Sequence, residues 1–254
     1  MQNNTFSRLI VGQKIVVLER IDSTNDYLKR ELAKSTPFPE GTVIMAEEQF
    51  AGRGQSQNKW LSLPGLNLTF SILLYPTFIS PENQFELNIA ISLATNDVLS
   101  QIIGEELKIK WPNDIYYRNQ KIGGILIENS LRGKQIKNSI IGIGLNVNQT
   151  EFDPQLKNVT SIKRITGKNY DLQALLMDLC SAIGNRYLSL DKDVNKHREE
   201  YLQRLFRFDD AHFFELEGRQ VKGVIKGVDT AGRLVVEVEG QKQSFSPKEL
   251  SFII

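Results

Sequence analysis

Residues 107–128 decide how this chain folds, and they read LKIKWPNDIYYRNQKIGGILIE. Leu107–Trp111 has the composition of a strand, and Pro112 ends it because proline offers no N–H to a sheet ladder. Proline also disfavours helical backbone around it, so the polar pair Asn113-Asp114 is expected beside the strand end. The two runs that follow predict a β-hairpin: Ile115–Tyr117 and Lys121–Glu128.

Strand and helix patterns surround that hairpin and predict a mixed-sheet α/β (α+β) domain. Further strands are expected at Lys14–Glu19, Thr42–Ala46, Asn67–Leu74 and Ser139–Val147. One helix is expected to begin at Ser23, which suits an N-cap, and another at Ser80-Pro81, where proline suits the first turn. Apolar residues at helical spacing predict a third helix over Asp171–Leu190, and a charged helical segment follows around residues 196–207.

The pattern changes after residue 207. Short alternating strands are expected at Gln220–Val228, Arg233–Val238 and Gln241–Phe245, with closure by Leu250–Ile254. Such spacing is typical of a small all-β module. We therefore predict one domain over residues 1–208 and a β-barrel module over residues 209–254.

Composition narrows the classes of function. The 254 residues carry a formal net charge of +1, without the basic excess that long nucleic-acid grooves usually leave. A single cysteine, Cys180, excludes an intrachain disulfide and a cysteine-rich zinc site, and two histidines exclude a multi-histidine metal site. Residues 1–5 lack signal-peptide features, and the apolar runs are too short to span a bilayer. The expectation is a cytoplasmic protein.

Gly52-Arg53-Gly54 lies within the polar stretch 47–59. Two glycines let backbone N–H groups approach a ligand, and a guanidinium pairs with a carboxylate or a phosphate. A flexible surface turn accounts for the same tripeptide. The spacing matches neither a Walker A loop nor a dinucleotide-binding fingerprint.

Other polar features suit ligand recognition, and each has a plain structural alternative. Lys110 and Lys121 stand at strand ends, where a lysine can meet an anion, although most single lysines are merely solvated. Gly123-Gly124 lies in a strand, where glycine often marks the close approach of a ligand or of another backbone. Ser23-Thr24-Asn25 offers neutral donors and acceptors, yet its groups could equally satisfy the first turn of a helix.

The order of these elements resembles the biotin–protein ligases. The matching residues are Ser23-Thr24-Asn25, Gln49, Gly52-Arg53-Gly54, Trp60, Lys110-Trp111-Pro112-Asn113-Asp114 and Lys121-Ile122-Gly123-Gly124. The resemblance implies a biotin/lipoate ligase-like catalytic domain followed by an SH3-like β-barrel. It also implies an ATP-dependent reaction that activates biotin to biotinyl-5′-AMP and transfers it to a lysine of a biotin carrier protein, such as that of acetyl-CoA carboxylase.

The resemblance further implies which residues act. Biotin would be bound by Ser23, Thr24, Asn25, Gln49, Arg53, Gly54, Gln55, Lys121 and Gly124. ATP would be bound by Arg53, Trp60, Lys110, Asn113 and Asn146. The catalytic groups would be Arg53, Lys121 and Asp114, and Asp114 would also contact the Mg²⁺ that accompanies ATP, an ion that keeps several waters and needs few protein ligands.

One position departs from the family pattern. The family's usual residue after Gly-Arg-Gly is a further arginine, and here it is Gln55. Glutamine donates hydrogen bonds but does not neutralise a phosphate, so retention of the activated intermediate is expected to be weaker. The family includes DNA-binding repressors, monomers and dimers. The first predicted strand near Lys14 suggests a form without a DNA-binding domain.

Two alternatives stay open at this point. A lipoate or octanoyl ligase shares the catalytic fold and would differ in the acid that it activates. A protein that binds nucleic acid or another partner through the terminal β module would leave the glycine loop with a purely structural role.

Overall fold

The computed structural model describes residues 10–34, 38–55 and 58–254. Its helices are α1 (Thr24–Leu32), α2 (Phe85–Ile103), α3 (Ile162–Thr166), α4 (Leu172–Leu188) and α5 (Val194–Gln203). The strands that precede α3 are β1 (Ile15–Ile21), β2 (Val43–Gln49), β3 (Leu68–Leu74), β4 (Leu107–Lys110), β5 (Asp114–Tyr117), β6 (Gln120–Arg132) and β7 (Gln135–Leu145). The strands that follow α5 are β8 (Ala211–Leu216), β9 (Arg219–Val228), β10 (Leu234–Val238), β11 (Gln241–Phe245) and β12 (Leu250–Phe252).

Two sheets organise these elements. The first has seven strands in the order β1-β2-β3-β7-β6-β5-β4, in which β1 and β2 pair in parallel and the other neighbours are antiparallel. The second is an antiparallel sheet of five strands in the order β11-β10-β9-β8-β12. The mixed α/β fold with a separate C-terminal β sheet is therefore confirmed.

Strand β3 is an interior strand of the first sheet, between β2 and β7, and all seven of its residues are buried. Successive strand residues face opposite sides of a sheet. Leu73 packs with Leu28 of α1 in a small core on one side. Ile72 and Leu74 belong to the large core on the other side, which includes residues of α2 and α4. The first sheet therefore separates α1 from the other long helices.

The hairpin predicted from residues 107–128 is present as β5 and β6, and β6 extends beyond the prediction to Arg132. Register across the neighbouring strands aligns three residues, since Asp114 pairs with Gly124 and Gly124 pairs with Gly144. Asp114 thus lies beside two glycines that carry no side chain. These three residues form part of the wall of the cavity described below.

The C-terminal sheet packs against the end of β4, where Lys110 and Trp111 lie. The Trp111 indole Nε1 donates a 2.9 Å hydrogen bond to the carbonyl oxygen of Gly232, in the turn before β10. A Cβ at Gly232 would lie 2.5 Å from the Phe85 ring, so this turn also needs glycine to approach α2. Lys110 lies between the Tyr116 and Phe252 rings, with Nζ 5.2 and 4.6 Å from their centroids.

Some elements were not expected from the sequence. The short helix α3 and the strand β8 had no clear pattern, and the outer half of the β6–β7 hairpin was not expected either. The helix expected at Ser80-Pro81 starts instead as a 3-10 turn at Pro81–Asn83, and α2 begins at Phe85. The domain boundary at 208/209 stays a prediction, with β8 beginning at Ala211. Within the residues described, no helix combines the length and apolarity needed to cross a bilayer.

Candidate active site

A cavity of about 200 Å³ opens on the α1 side of the first sheet. Most residues expected at a ligand site line it: Ser23, Thr24, Asn25, Gln49, Arg53, Gly54, Gln55, Trp60, Asn113, Asp114, Lys121 and Gly124. They come from the start of α1, the end of β2, the glycine loop, β5 and β6. Segments far apart in the sequence are therefore brought together in one place.

A neutral hydrogen-bonded cluster forms one part of the wall. The Gln49 Oε1 accepts hydrogen bonds from the backbone N–H of Thr24 at 2.8 Å and from its hydroxyl at 3.0 Å. The Ser71 hydroxyl lies 2.6 Å from the Thr24 hydroxyl oxygen and 2.5 Å from Asn25 Oδ1. Burial of these groups is tolerated because each finds a partner.

Ser23 occupies the N-cap position of α1, as predicted, but its side chain makes no capping hydrogen bond. The N-cap hydroxyl normally satisfies an N–H of the first helical turn. Such a hydroxyl serves the second or third N–H of the helix, whereas the first, that of Thr24, donates to Gln49 Oε1. Because the Ser23 hydroxyl makes no capping bond and Ser23 lines the cavity, its position favours contact with a ligand over a capping role.

A network of four charges adjoins this cluster. The Arg53 guanidinium lies 2.7 Å from Glu128 Oε2 and 2.8 Å from Asp26 Oδ1. The Lys29 ammonium lies 2.6 Å from Glu128 Oε1 and 3.7 Å from Asp26. Two cations and two anions close a ring, so the network has no net charge. It anchors the glycine loop, through Arg53, to α1 and β6.

The glycine loop folds back on itself over the sheet. Arg53 and Lys59 form an antiparallel bridge, and Gly54 N–H donates to the Asn58 carbonyl at 2.7 Å. Trp60 then packs against Gly144 of β7, where a Cβ would lie 2.4 Å from the indole Cε2. Gly144 therefore has no side chain because the indole occupies that space. Residues 56 and 57 lie outside the described part of the chain.

Two donors in this loop are buried without a partner among the described residues: Arg53 Nε and Trp60 Nε1. Buried N–H groups are almost always hydrogen-bonded, since an unpaired one costs about 1–3 kcal/mol. Both belong to residues that line the cavity. This arrangement suits a ligand that brings acceptor oxygens, as carboxylates and phosphates do.

Lys121 and Asp114 form the ion pair at the other side of the cavity. The ammonium lies 2.6 Å from Asp114 Oδ1. Gly124 provides the space between them, because a Cβ there would lie 3.3 Å from the carboxylate and 3.4 Å from the ammonium. Of the titratable residues described in the cavity wall, Arg53, Lys59 and Lys121 are basic and Asp114 is acidic. Three basic groups at the wall suit an anionic ligand, and two of them, Arg53 and Lys121, are paired with carboxylates in its absence.

Two residues of the expected set lie elsewhere. Lys110 faces the C-terminal sheet, as described above, and is not among the residues that line the cavity. Burial lowers the pKa of Lys110; the Asp114 carboxylate opposes that shift, and the Lys121 and Arg207 charges add to it. Asn146 is buried, and its Nδ2 donates to the Thr160 carbonyl at 3.0 Å. Contact of Lys110 and Asn146 with ATP stays a prediction.

Sequence reasoning missed Ser71, Glu128 and Lys59. Ser71 is one of two hydroxyl residues, with Thr69, in the buried and otherwise apolar strand β3, and Glu128 follows the apolar run of β6. Polarity in a buried strand was therefore the available signal. Nothing local in the sequence separates Lys59 from a solvated lysine. These residues become recognisable only when the strands are paired.

Among the described residues that line the cavity, Asp114 is the one carboxylate that could bind a divalent cation. In the described part of the chain, no group of three His, Cys, Asp or Glu residues could hold a metal ion. One oxygen of the Asp114 carboxylate already meets Lys121. This donor set fits an ion that arrives on a phosphate substrate and keeps its waters. It does not fit a resident metal centre.

Comparisons with known proteins agree with this site. The biotin/lipoate A/B protein ligase family matches residues 17–146. The bifunctional ligase/repressor BirA of Bacillus spizizenii is 29% identical over 246 residues, which cover 93% of this chain and 74% of that protein. The biotin–[acetyl-CoA-carboxylase] ligase of Paracoccus denitrificans is 28% identical over 244 residues, which cover 93% and 99%.

A solved structure of a biotin protein ligase is similar to this chain over almost its whole length. Biotin protein ligase from Aquifex aeolicus in complex with biotin and ATP aligns with a TM-score of 0.79 and 27% identity, covering 95% of this chain and 99% of that one. The family match runs from within β1 to just beyond β7, and so it contains all of the cavity residues described above. The chain therefore belongs to the biotin/lipoate A/B protein ligase family.

Proposed function

We propose that this protein is a biotin–protein ligase. It joins biotin to ATP to form biotinyl-5′-AMP and pyrophosphate, and then transfers the biotinyl group to a lysine of a biotin carrier protein such as that of acetyl-CoA carboxylase. The observation that carries the proposal is the division of the cavity wall. A neutral cluster at Thr24, Asn25 and Gln49 adjoins the cations Arg53 and Lys121. Biotin has the same division into a neutral ureido ring and a carboxylate.

The neutral cluster is suited to the ring. A ureido group has two N–H donors and one carbonyl acceptor, and it carries no charge. Asn25 Oδ1 and the hydroxyls of Ser23 and Thr24 can accept hydrogen bonds, and the Gln49 amide nitrogen can donate one. A charged residue at these positions would be desolvated without a partner, which is costly.

The basic residues act where two anions must meet. In the first step, a carboxylate oxygen of biotin attacks the α-phosphorus of ATP, and the bond to pyrophosphate breaks. Arg53 and Lys121 reduce the repulsion between these groups and neutralise the charge that develops on the phosphate. Trp60 is assigned to the adenine, because an indole provides a planar apolar surface. Asn113 is assigned to ATP as well.

The second step needs no nucleophile from the enzyme. The carrier lysine attacks the carbonyl carbon of the mixed anhydride, AMP leaves, and the amine loses a proton. Asp114 is the carboxylate in the wall and is assigned to accept that proton or to orient the amine. Mg²⁺ bound to the ATP phosphates would supply further charge neutralisation, with Asp114 as its candidate ligand. Positioning accounts for most of the catalysis.

An exchange assay tests the proposal. The purified protein, ATP and labelled pyrophosphate are incubated with biotin, with lipoate or with neither. We expect label to enter ATP only with biotin, and biotin to appear on an added carrier domain when ATP is present. Exchange driven by lipoate alone would instead assign the protein to the lipoate branch of the family. Tight binding of DNA or RNA without any exchange would contradict a ligase altogether.

Several properties follow from the same proposal. We place the ligase in the cytoplasm, where its carrier would be, and we infer that it acts as a monomer or a homodimer without binding DNA. Gel filtration with and without biotin and ATP distinguishes the monomer from the homodimer directly.

A further inference from the structure

The Glu128 carboxylate connects the two halves of the cavity wall. Its Oε2 accepts hydrogen bonds from Asn25 Nδ2 at 2.8 Å and from Arg53 at 2.7 Å. Its Oε1 accepts one from Lys29 at 2.6 Å. Each of these partners is a donor, and one of them belongs to the neutral cluster while another belongs to the glycine loop. Glu128 itself is not among the residues that line the cavity.

An ionised carboxylate can only accept hydrogen bonds, and this decides how the Asn25 amide is oriented. The Nδ2 group must face Glu128, with a longer hydrogen bond of 3.4 Å to the Leu126 carbonyl, so Oδ1 must face the Ser71 hydroxyl, 2.5 Å away. Gly142 leaves room for this arrangement, since a Cβ there would lie 2.5 Å from Oδ1. One lone pair of Oδ1 remains for a ligand, which makes Asn25 an acceptor for a ring N–H.

The ionised state of Glu128 is itself supported by its surroundings. Burial raises the pKa of this carboxyl, but the hydrogen bonds from Lys29, Asn25 and Arg53 outweigh burial and place the pKa below its ordinary value. Asp26 is the remaining charged group of the network, and its carboxylate contacts Arg53 and Lys29. Asp26 and Glu128 both form ion pairs with Arg53. Of these two carboxylates, Glu128 is the one that accepts a hydrogen bond from Asn25 and so orients its amide.

We propose that Glu128 is a positioning residue that sets biotin specificity by fixing Asn25 Oδ1 as an acceptor for the ligand ring. This proposal rests on the proposed biotin–protein ligase function. Glu128 acts through Asn25 and is not itself among the residues that line the cavity. Arg53 keeps its contact with Asp26 when Glu128 is replaced, whereas Asn25 loses the carboxylate that orients it, so the loss of Glu128 is expected to weaken biotin binding far more than the chemical step.

Glu128→Gln tests the proposal because it keeps the shape and removes the acceptor-only character. Both oxygens of the Glu128 carboxylate accept hydrogen bonds, one from Lys29 and the other from Asn25 and Arg53. In the glutamine variant the NH₂ group must therefore face either Lys29 or the pair Asn25 and Arg53. We expect the biotin KM in the exchange assay to rise about tenfold, with the ATP KM and kcat within about twofold of the unchanged protein. Removal of an interaction that stabilises the ground state and the transition state equally has this signature.

Three further variants separate the effect of position from the effect of charge. Asp26→Asn removes one negative charge from the same network but leaves the bond between Glu128 and Asn25, and we expect its biotin KM to stay within about twofold. Glu106→Gln makes the same chemical change in an exposed pair with Arg118 and should behave likewise. Glu128→Asp keeps both acceptor oxygens on a shorter stem, and its biotin KM should lie between those of the unchanged protein and Glu128→Gln.

The outcomes are distinct. An unchanged biotin KM in Glu128→Gln, or an equal rise in Asp26→Asn, overturns the proposal. A parallel rise in both KM values with a lower melting temperature indicates a merely structural role and also overturns it. If Glu128→Gln does not fold, Glu128→Asp is compared with Asp26→Asn, and a rise confined to the former supports the proposal. If the unchanged protein catalyses no biotin-dependent exchange, the proposed function fails first and this inference fails with it.

Discussion

Lys121 and Asp114 form an ion pair across the β5–β6 hairpin, with Nζ 2.6 Å from Oδ1. Asp114 pairs in register with Gly124, and that glycine leaves the space that the two charged groups occupy. Both side chains are partly buried, so the ammonium is less hydrated than on an open surface. The pair places a cation at the cavity whose charge is balanced until an anionic substrate arrives.

Replacement of Lys121 by alanine should remove most adenylate formation. The ammonium is assigned to the charge that develops on the α-phosphate, and loss of one such donor typically costs about 10²–10³ in kcat. We expect biotin-dependent ATP–pyrophosphate exchange to fall about 100-fold. The melting temperature should change by only a few degrees, because the pair is partly exposed. Normal exchange rates in Lys121→Ala would refute the assignment.

Gly144→Ala should displace the glycine loop. An added Cβ would lie 2.4–2.7 Å from the Trp60 indole, a distance that the packed ring cannot tolerate. We expect the Trp60 fluorescence to shift to the red and exchange activity to fall at least tenfold. Gly184→Ala, in helix α4, is the control, because the nearest neighbour of its added Cβ would be the Val11 nitrogen at 3.7 Å, an ordinary contact distance. That helix should gain about 0.5–1 kcal/mol of stability, with activity unchanged.

Gln55→Arg should slow the release of the activated intermediate. Gln55 lines the cavity in the same loop as Arg53, and an arginine there would add a second guanidinium near a negatively charged mixed anhydride. A hydrogen bond between charged groups contributes about 1.5–3 kcal/mol, so release should slow about tenfold or more. The measurement follows loss of labelled biotinyl-AMP from the enzyme after removal of free biotin and ATP. Equal release rates would contradict the prediction.

Lys110→Met should separate packing from catalysis. Lys110 contacts two aromatic rings away from the cavity wall, so we expect the ATP KM to stay within about twofold. A tenfold rise would support the contact with ATP that the family resemblance implies.

The same residue predicts a pH dependence of stability. The pKa of Lys110 is lowered mainly by burial, so between the folded pKa and the ordinary value of about 10.5 the unfolded chain binds more protons than the folded one. The contribution of Lys110 to the free energy of unfolding should therefore rise with pH through that window, relative to the same protein without this lysine. Urea unfolding of Lys110→Met should lack this rise and should show greater stability at neutral pH. A steeper loss of stability with rising pH in the unchanged protein than in Lys110→Met would contradict the sign.

Much of the fold follows from local patterns. Alternation and turn residues predict the β5–β6 hairpin, and Asp171 begins α4 as an N-cap whose carboxylate accepts hydrogen bonds from Gln173 and Ala174. Those signals are local because a turn or a cap involves residues only a few positions apart. Strand β8 was not predicted from the sequence, for the opposite reason. Its pairing with β9 and β12 determines that Phe214 is buried and Phe213 exposed, and those partners are not adjacent to it in a recognisable local pattern.

The candidate site divides in the same way. The sequence by itself determined the residue types that suit biotin and ATP, and their order identified the family, because the chemistry of a ligand restricts which side chains can bind it. Only the tertiary structure decided that Asp114, Gly124 and Gly144 align, that Lys110 turns away, and that Glu128 joins Asn25 to Arg53. Strand register and the packing of a sheet face involve partners about 10–140 residues apart, and a local sequence pattern does not specify such contacts.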